Sequence, residues 1–188
     1  ALGTGIASIL FTSASSVRSH HWRNAVNWRI VRRMVPGVVT GTFCGALLAG
    51  YLRLCGLEPI VHIPDRIFEG YGPNVDAIRS FAERGVKLLV TVDCGTTSLE
   101  PLAEAGKLGL DTVVIDHHQA DEQLPLAIAI VNPNRADDLS GLGDLAACGL
   151  VFLTLVALTR ELRRRDFWNA ARPEPDLLSL LHLVALGT

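Results

Sequence analysis

Beyond Tyr51 the hydrophobic pattern alternates between two periods. Leu88–Val92, Thr112–Ile115 and Ala127–Val131 are near-continuous apolar runs of strand length. Val61-His62-Ile63, ended by Pro64, is a shorter strand candidate. Between the runs the apolar positions take helical spacing. Asn74 can cap a helix that runs to Arg84, with Ile78, Phe81 and Ala82 on one face and Gly85 as its stop. Thr97 and Glu100 are spaced as a capping box, with Pro101 early in the helix and an end near Gly106–Gly109. Strand, helix, strand at this spacing predicts a βαβ unit and a parallel sheet with a right-handed crossover. Strands this apolar predict a sheet covered on both faces. After the loop Arg135–Asp144, the uncharged stretch Leu145–Thr159 predicts a buried helix that runs into a charged end, Arg160–Asp166. A turn with Pro173 and Pro175 leads to a last helix, Asp176–Leu186. The fold class is α/β, a parallel sheet flanked by helices.

The first fifty residues have another texture. Ala1–Val17 carries no charge, and Met34–Leu52 is a second uncharged run, long enough to reach roughly 28 Å as a helix. Between them Arg18–Arg33 is basic and contains Trp22 and Trp28. This order predicts a membrane hairpin with a cytoplasmic loop. Gly37, Gly41 and Gly45 share one helix face and permit close helix contact. A pair of buried helices in a soluble protein is the alternative, and Val35–Thr40 as a strand covering the sheet edge is another. The expected division is an apolar helical segment over 1–50 and an α/β domain over 51–188.

Composition sharpens this division. The chain has 188 residues, 49% of them apolar and 19% charged, which excludes disorder. The net charge of −2 hides a split, because Glu58 is the first acid. Residues 1–57 sum to +6 and residues 58–188 to −8. Cys44, Cys55, Cys94 and Cys148 show no C-x-x-C spacing, so they read as separate thiols in a reducing compartment. The chain begins without Met and stops in mid-pattern, as expected of a piece of a longer protein.

Candidate chemistry sits where strands end. Asp93 and Asp116 follow two expected neighbouring strands, and ligand crevices of open α/β sheets lie at that edge. His117 and His118 follow Asp116 directly. Alone, an Asp ending a strand also suits a turn, and adjacent histidines also suit a surface loop. Together, two carboxylates and two imidazoles suit a divalent ion, Mn²⁺ or Mg²⁺. Two such ions about 3.5–4 Å apart would permit phosphodiester hydrolysis. Arg66 and the EGYG turn suit either a phosphate grip or a loop anchored by an ion pair. Cys94 has no assignable His or Asn partner and reads as packing.

Two resemblances follow from these residues. ALGTGIASILFTSASSVRSHH with VNWRIVRRMVPGVVTGTFCGALLAG resembles the TauE/SafE family of membrane permeases. IPDRIFEGYGPN, LLVTVDCGTTS, TVVIDHHQ, IVNPNRADD, LAACGLVFLTLVAL and PDLLSLLHLVALGT resemble the RecJ family of the DHH phosphoesterase superfamily, over about Tyr51 to Thr188. That resemblance implies a cytoplasmic, metal-dependent 5′→3′ exonuclease on single-stranded DNA, used in DNA repair and recombination. It implies Asp93 and His117 as metal ligands, Asp116 as the residue that orients the site, and His118 facing the scissile phosphate. The family's D-x-D strand end is matched here by VVTGTFCG, without a carboxylate. The family's later Asp lies past VALGT, and His182 stands where an acid is expected. A domain so truncated is expected to have little or no activity. Another DHH phosphoesterase, an oligoribonuclease or pyrophosphatase, and a non-catalytic permease fragment are the rival readings. No protein partner is assignable from the sequence.

Overall fold

The computed structural model describes residues 28–64 and 71–187, with side chains from residue 41 onward within those spans. The expected first apolar segment, most of the basic loop, and Arg66 lie outside the described residues. The chain divides into two compact units, Ala1–Val38 and Val39–Thr188, and the account below concerns the second.

Its centre is a three-stranded parallel sheet in the order β1-β2-β3, with β1 at Leu88–Val92, β2 at Asp111–Ile115 and β3 at Ala129–Val131. Val92 pairs with Ile115, and Ile115 pairs with Val131, so the three strands end level. Helices fall on both faces. The helices are α1 (Trp28–Leu54), α2 (Val75–Glu83), α3 (Leu99–Lys107), α4 (Ala147–Arg164) and α5 (Leu181–Leu186), the last entered by a 3₁₀ turn at Leu177–Leu180.

Side-chain alternation along the strands sorts two cores. Val90, Val92, Val113 and Ile115 belong with Cys44, Leu47 and Tyr51 of α1 and Leu150, Val151 and Leu155 of α4. Leu89 belongs to the opposite cluster with Ile78 of α2, Ala105 of α3 and Leu110. Each fully buried leucine, such as Leu47, contributes about 1.5–3 kcal/mol relative to exposure.

The βαβ reading matches the structure at β1 and β2, β3 begins at Ala129 rather than Ala127, and Asn74 caps α2 by accepting the Ala77 N–H at 2.8 Å. Several expectations change. Val61–Ile63 is not a strand; Val61 and Ile63 are exposed, and among the described residues β1 pairs with β2 alone. Val35–Thr40 is helical, inside α1, so it is not an edge strand. The first residue before α3 is Ser98, without a side-chain capping bond, so the Thr97 capping box does not form.

Among the described residues no helix is long and apolar enough to cross a membrane. The C-terminal half of α1 instead closes the core. Cys44, Leu47 and Tyr51 recur at i, i+3 and i+7, the stripe that one helix face presents, and all three are buried. The Tyr51 hydroxyl and Thr159 Oγ1 share a buried hydrogen bond of 2.8 Å that ties α1 to α4. Residues 41–50 therefore contribute to the α/β core, through Cys44 and Leu47.

Candidate metal centre

The sheet's level ends bring Asp93 and Asp116 to one edge. The Asp93 N–H donates to the Ile115 carbonyl at 2.9 Å, and the Asp116 N–H donates to the Val131 carbonyl at 3.0 Å. Each strand thus runs one residue further before turning. The chain then leaves β1 through Asp93 at φ 61°, a left-handed conformation in which Asp is among the better tolerated side chains. Gly95 follows at φ 112°, and a Cβ there would collide with Thr91 Oγ1. Glycine is required for that close approach.

Asp93, His117 and His118 each offer a ligand atom, and those atoms lie within 4.8 Å of one another. His117 Nε2 stands 3.2 Å from Asp93 Oδ1, with the two side chains 31% and 11% exposed. A hard carboxylate oxygen and two imidazole nitrogens form a donor set that fits Mn²⁺.

Asp116 is not one of that triad, and its own bonds show why. It is 2% exposed. Oδ1 accepts the His117 N–H at 2.8 Å, the His118 N–H at 3.3 Å and His118 Nδ1 at 2.6 Å. Oδ2 accepts the Thr96 N–H at 3.0 Å. A carboxylate only accepts, so His118 Nδ1 carries the proton in that contact. Nε2 is thereby the ring atom left to face a ligand, the arrangement in which a carboxylate orients a metal-site histidine. Burial raises the Asp116 pKa, but the hydrogen bonds from His118 and Thr96 outweigh it and hold the carboxyl below its ordinary range.

Tyr71 reaches the same edge and escaped the sequence reading. Its hydroxyl donates to the Asp93 carbonyl at 2.7 Å, and its oxygen lies 3.3 Å from His118 Nε2. The EGYG turn pointed to this segment as a phosphate loop, but no periodicity or spacing marked the tyrosine. Asn132 and Asn134, just past β3, also bond to the histidine loop, and no spacing in the sequence marked them.

The pattern of the DHH family, N-terminal domain, matches residues 39–188, and that of sulfite exporter TauE/SafE matches residues 1–63. The chain belongs to the DHH family. Within it, the chain is 41% identical to the single-stranded-DNA-specific exonuclease RecJ of Dickeya dadantii over 151 residues, which cover 79% of this chain and 26% of that protein. It is 40% identical to the RecJ of Bacillus subtilis over 127 residues, 68% of this chain and 14% of that one. A crystal structure of exonuclease RecJ bound to manganese superposes with a TM-score of 0.65 and 31% identity, covering 80% of this chain and 35% of the other. The chain therefore spans about a quarter or less of the length of the two RecJ proteins and about a third of the crystallised chain.

Proposed function

We propose that the α/β domain is the metal-binding part of a RecJ-like phosphodiesterase that hydrolyses single-stranded DNA from the 5′ end, in DNA repair and recombination. The observation that carries this reading is the convergence of Asp93, His117 and His118 at the carboxyl edge of the sheet. The kinship with manganese-bound RecJ supports Mn²⁺ as the ion, with Mg²⁺ as the second choice. When bound, such an ion supplies an acidified water and a Lewis acid for the phosphate oxygen.

The chain's own residues divide the remaining work. Asp93 and His117 are the ligands. Asp116 fixes the tautomer and direction of His118, whose Nε2 faces the scissile phosphate at the same focus. Arg66 is proposed as a phosphate-binding residue, on the sequence reading alone. Residues 58–188 are acidic overall, at −8, which weakens the grip on a polyanion. With one carboxylate in the cluster, turnover by this chain is expected to be low. The proposed location is the cytoplasm.

The division of the chain into a permease-like segment over 1–50 and a DHH domain over 51–188 belongs to the same proposal as a statement of ancestry. The two family matches overlap at residues 39–63, where α1 serves the core whichever parent supplied it.

The test is Mn²⁺ titration of the chain by electron paramagnetic resonance, followed by digestion of 5′-labelled single-stranded DNA, short RNA and pyrophosphate. Mn²⁺ binding lost in His117→Ala, and residual cleavage confined to DNA, are the expected results. Unchanged binding in that variant would overturn the assignment. Cleavage of RNA or pyrophosphate in preference to DNA would move the chain to another DHH activity. Loss of Mn²⁺ binding in His118→Ala would make that histidine a ligand instead of a phosphate contact.

A further inference from the structure

His117 and His118 lie beyond the last residue of β2, in a loop, and a ligand on a loop needs something to hold its direction. The direction of a side chain follows from the peptide planes on either side of its Cα. On the N–H side, Asp116 Oδ1 holds both histidines. On the carbonyl side, two asparagines from the end of β3 divide the task. Asn132 Nδ2 donates to the His118 carbonyl at 2.9 Å, and Asn134 Nδ2 donates to the His117 carbonyl at 2.5 Å.

From these contacts we infer that Asn132 and Asn134 are positioning residues of the candidate metal centre, each fixing the backbone of one histidine. The inference rests on reading the cluster as a metal site and names what aims its imidazoles. The asparagines are themselves firmly seated. Asn132 is buried, and its Nδ2 also lies 2.9 Å from Thr96 Oγ1, while the Thr96 N–H holds Asp116 Oδ2. Asn132 Oδ1 accepts the Asn134 N–H at 2.8 Å across the intervening Pro133. Asn134 Nδ2 donates a second bond to the Gly143 carbonyl at 3.1 Å, and a Cβ on Gly143 would stand 2.8 Å from Asn134 Oδ1. The sheet's third strand, the D-C-G turn and the loop before α4 are thus joined to the histidine pair through two amides.

The experiment uses the full chain with Asn134→Asp and Asn132→Asp. Each swap keeps size and replaces a donor by a carboxylate oxygen, which repels the histidine carbonyl it faced. Imidazole NMR signals are read without metal, with His62 and His182 as internal references, and Mn²⁺ affinity is then measured. In Asn134→Asp the His117 ring signals are expected to shift, those of His62 and His182 to stay, and Mn²⁺ affinity to fall about 10–100-fold. Unmoved His117 signals in a folded variant would overturn the inference. Asn134 is only partly buried, so its variant decides the matter should the buried Asn132→Asp fail to fold. Wild-type chain that binds no Mn²⁺ would overturn the metal reading, whereas the imidazole spectra would still tell whether the asparagines set the rings.

Discussion

Gly41 on α1 faces Asp93 so closely that a Cβ at Gly41 would lie 3.3 Å from Asp93 Oδ2. At that position α1 presents bare backbone to Asp93. In Gly41→Asp a second carboxylate enters beside the first. Like charges destabilise the metal-free protein, and a dication that binds both restores it. The expected outcome is a lower melting temperature in chelator and a larger rise on adding Mn²⁺ than in the wild type. Equal Mn²⁺-dependent shifts in the two proteins would show that Gly41 does not border the ion.

Tyr51 and Thr159 give a test of whether α1 belongs to the core. Tyr51→Phe leaves the buried Thr159 hydroxyl without its partner, at a cost of about 1–3 kcal/mol in urea unfolding. Adding Thr159→Val removes the orphaned hydroxyl and is expected to recover part of that loss. A null effect of Tyr51→Phe would place the C-terminal half of α1 outside the cooperative unit.

Asp116 predicts a specific pH dependence. Its folded pKa lies below the ordinary value, so the unfolded chain takes up its proton first as pH falls. The stability it contributes is complete above the unfolded carboxylate pKa, about 3.9, and is lost as pH drops through the lower folded value. Asp116→Asn puts an amide donor or an uncharged oxygen against the N–H groups of Thr96 and His117. The variant is expected to be less stable at pH 7, and the gap to the wild type is expected to narrow below about pH 4. Urea midpoints measured from pH 7 to pH 3 decide this, and a gap that stays constant across the range would refute it.

Cys44 and Cys148 hold their sulfurs 2.7 Å apart in the core, one on α1 and one on α4. Two thiols and hydrogen peroxide give a disulfide and two waters. The hydrogen bond between them raises the Cys44 thiol and lowers that of Cys148, while burial and the charge of Asp93 oppose a thiolate at either sulfur, so the reaction is expected to be slow. Peptide mapping after prolonged peroxide treatment should show a Cys44–Cys148 link with the loss of two hydrogens, and Cys55 should still take an alkylating agent after unfolding. Oxidation confined to the partly exposed Cys94 would rule the pairing out.

What was legible in the sequence was whatever depends on neighbours along the chain. Unbroken apolar runs marked β1 and β2 to within a residue, and the strand-end positions of Asp93 and Asp116 located the cluster. What was not legible depends on partners far away in sequence. Val61–Ile63 has strand composition, but a strand exists only with a ladder. The uncharged run Met34–Leu52 suits lipid and protein interior alike, and the burial of Cys44, Leu47 and Tyr51 decides for the interior over its described part. Tyr71, Asn132 and Asn134 carry no periodic signal. Their roles arise from bonds to residues from fourteen to forty-seven positions distant.

The commitment of both Asp116 oxygens to hydrogen bonds has an electrostatic corollary. Of the two acids at the sheet edge, one has both oxygens committed to holding the loop, so the triad offers an ion one carboxylate in direct contact. In direct contact with a dication, that carboxylate offsets about one of its two positive charges. A centre of that kind is undercompensated: it releases its ion readily, and it draws in an anion to complete the count. Apparent metal affinity and affinity for phosphate should therefore rise together, each measured in the presence of the other.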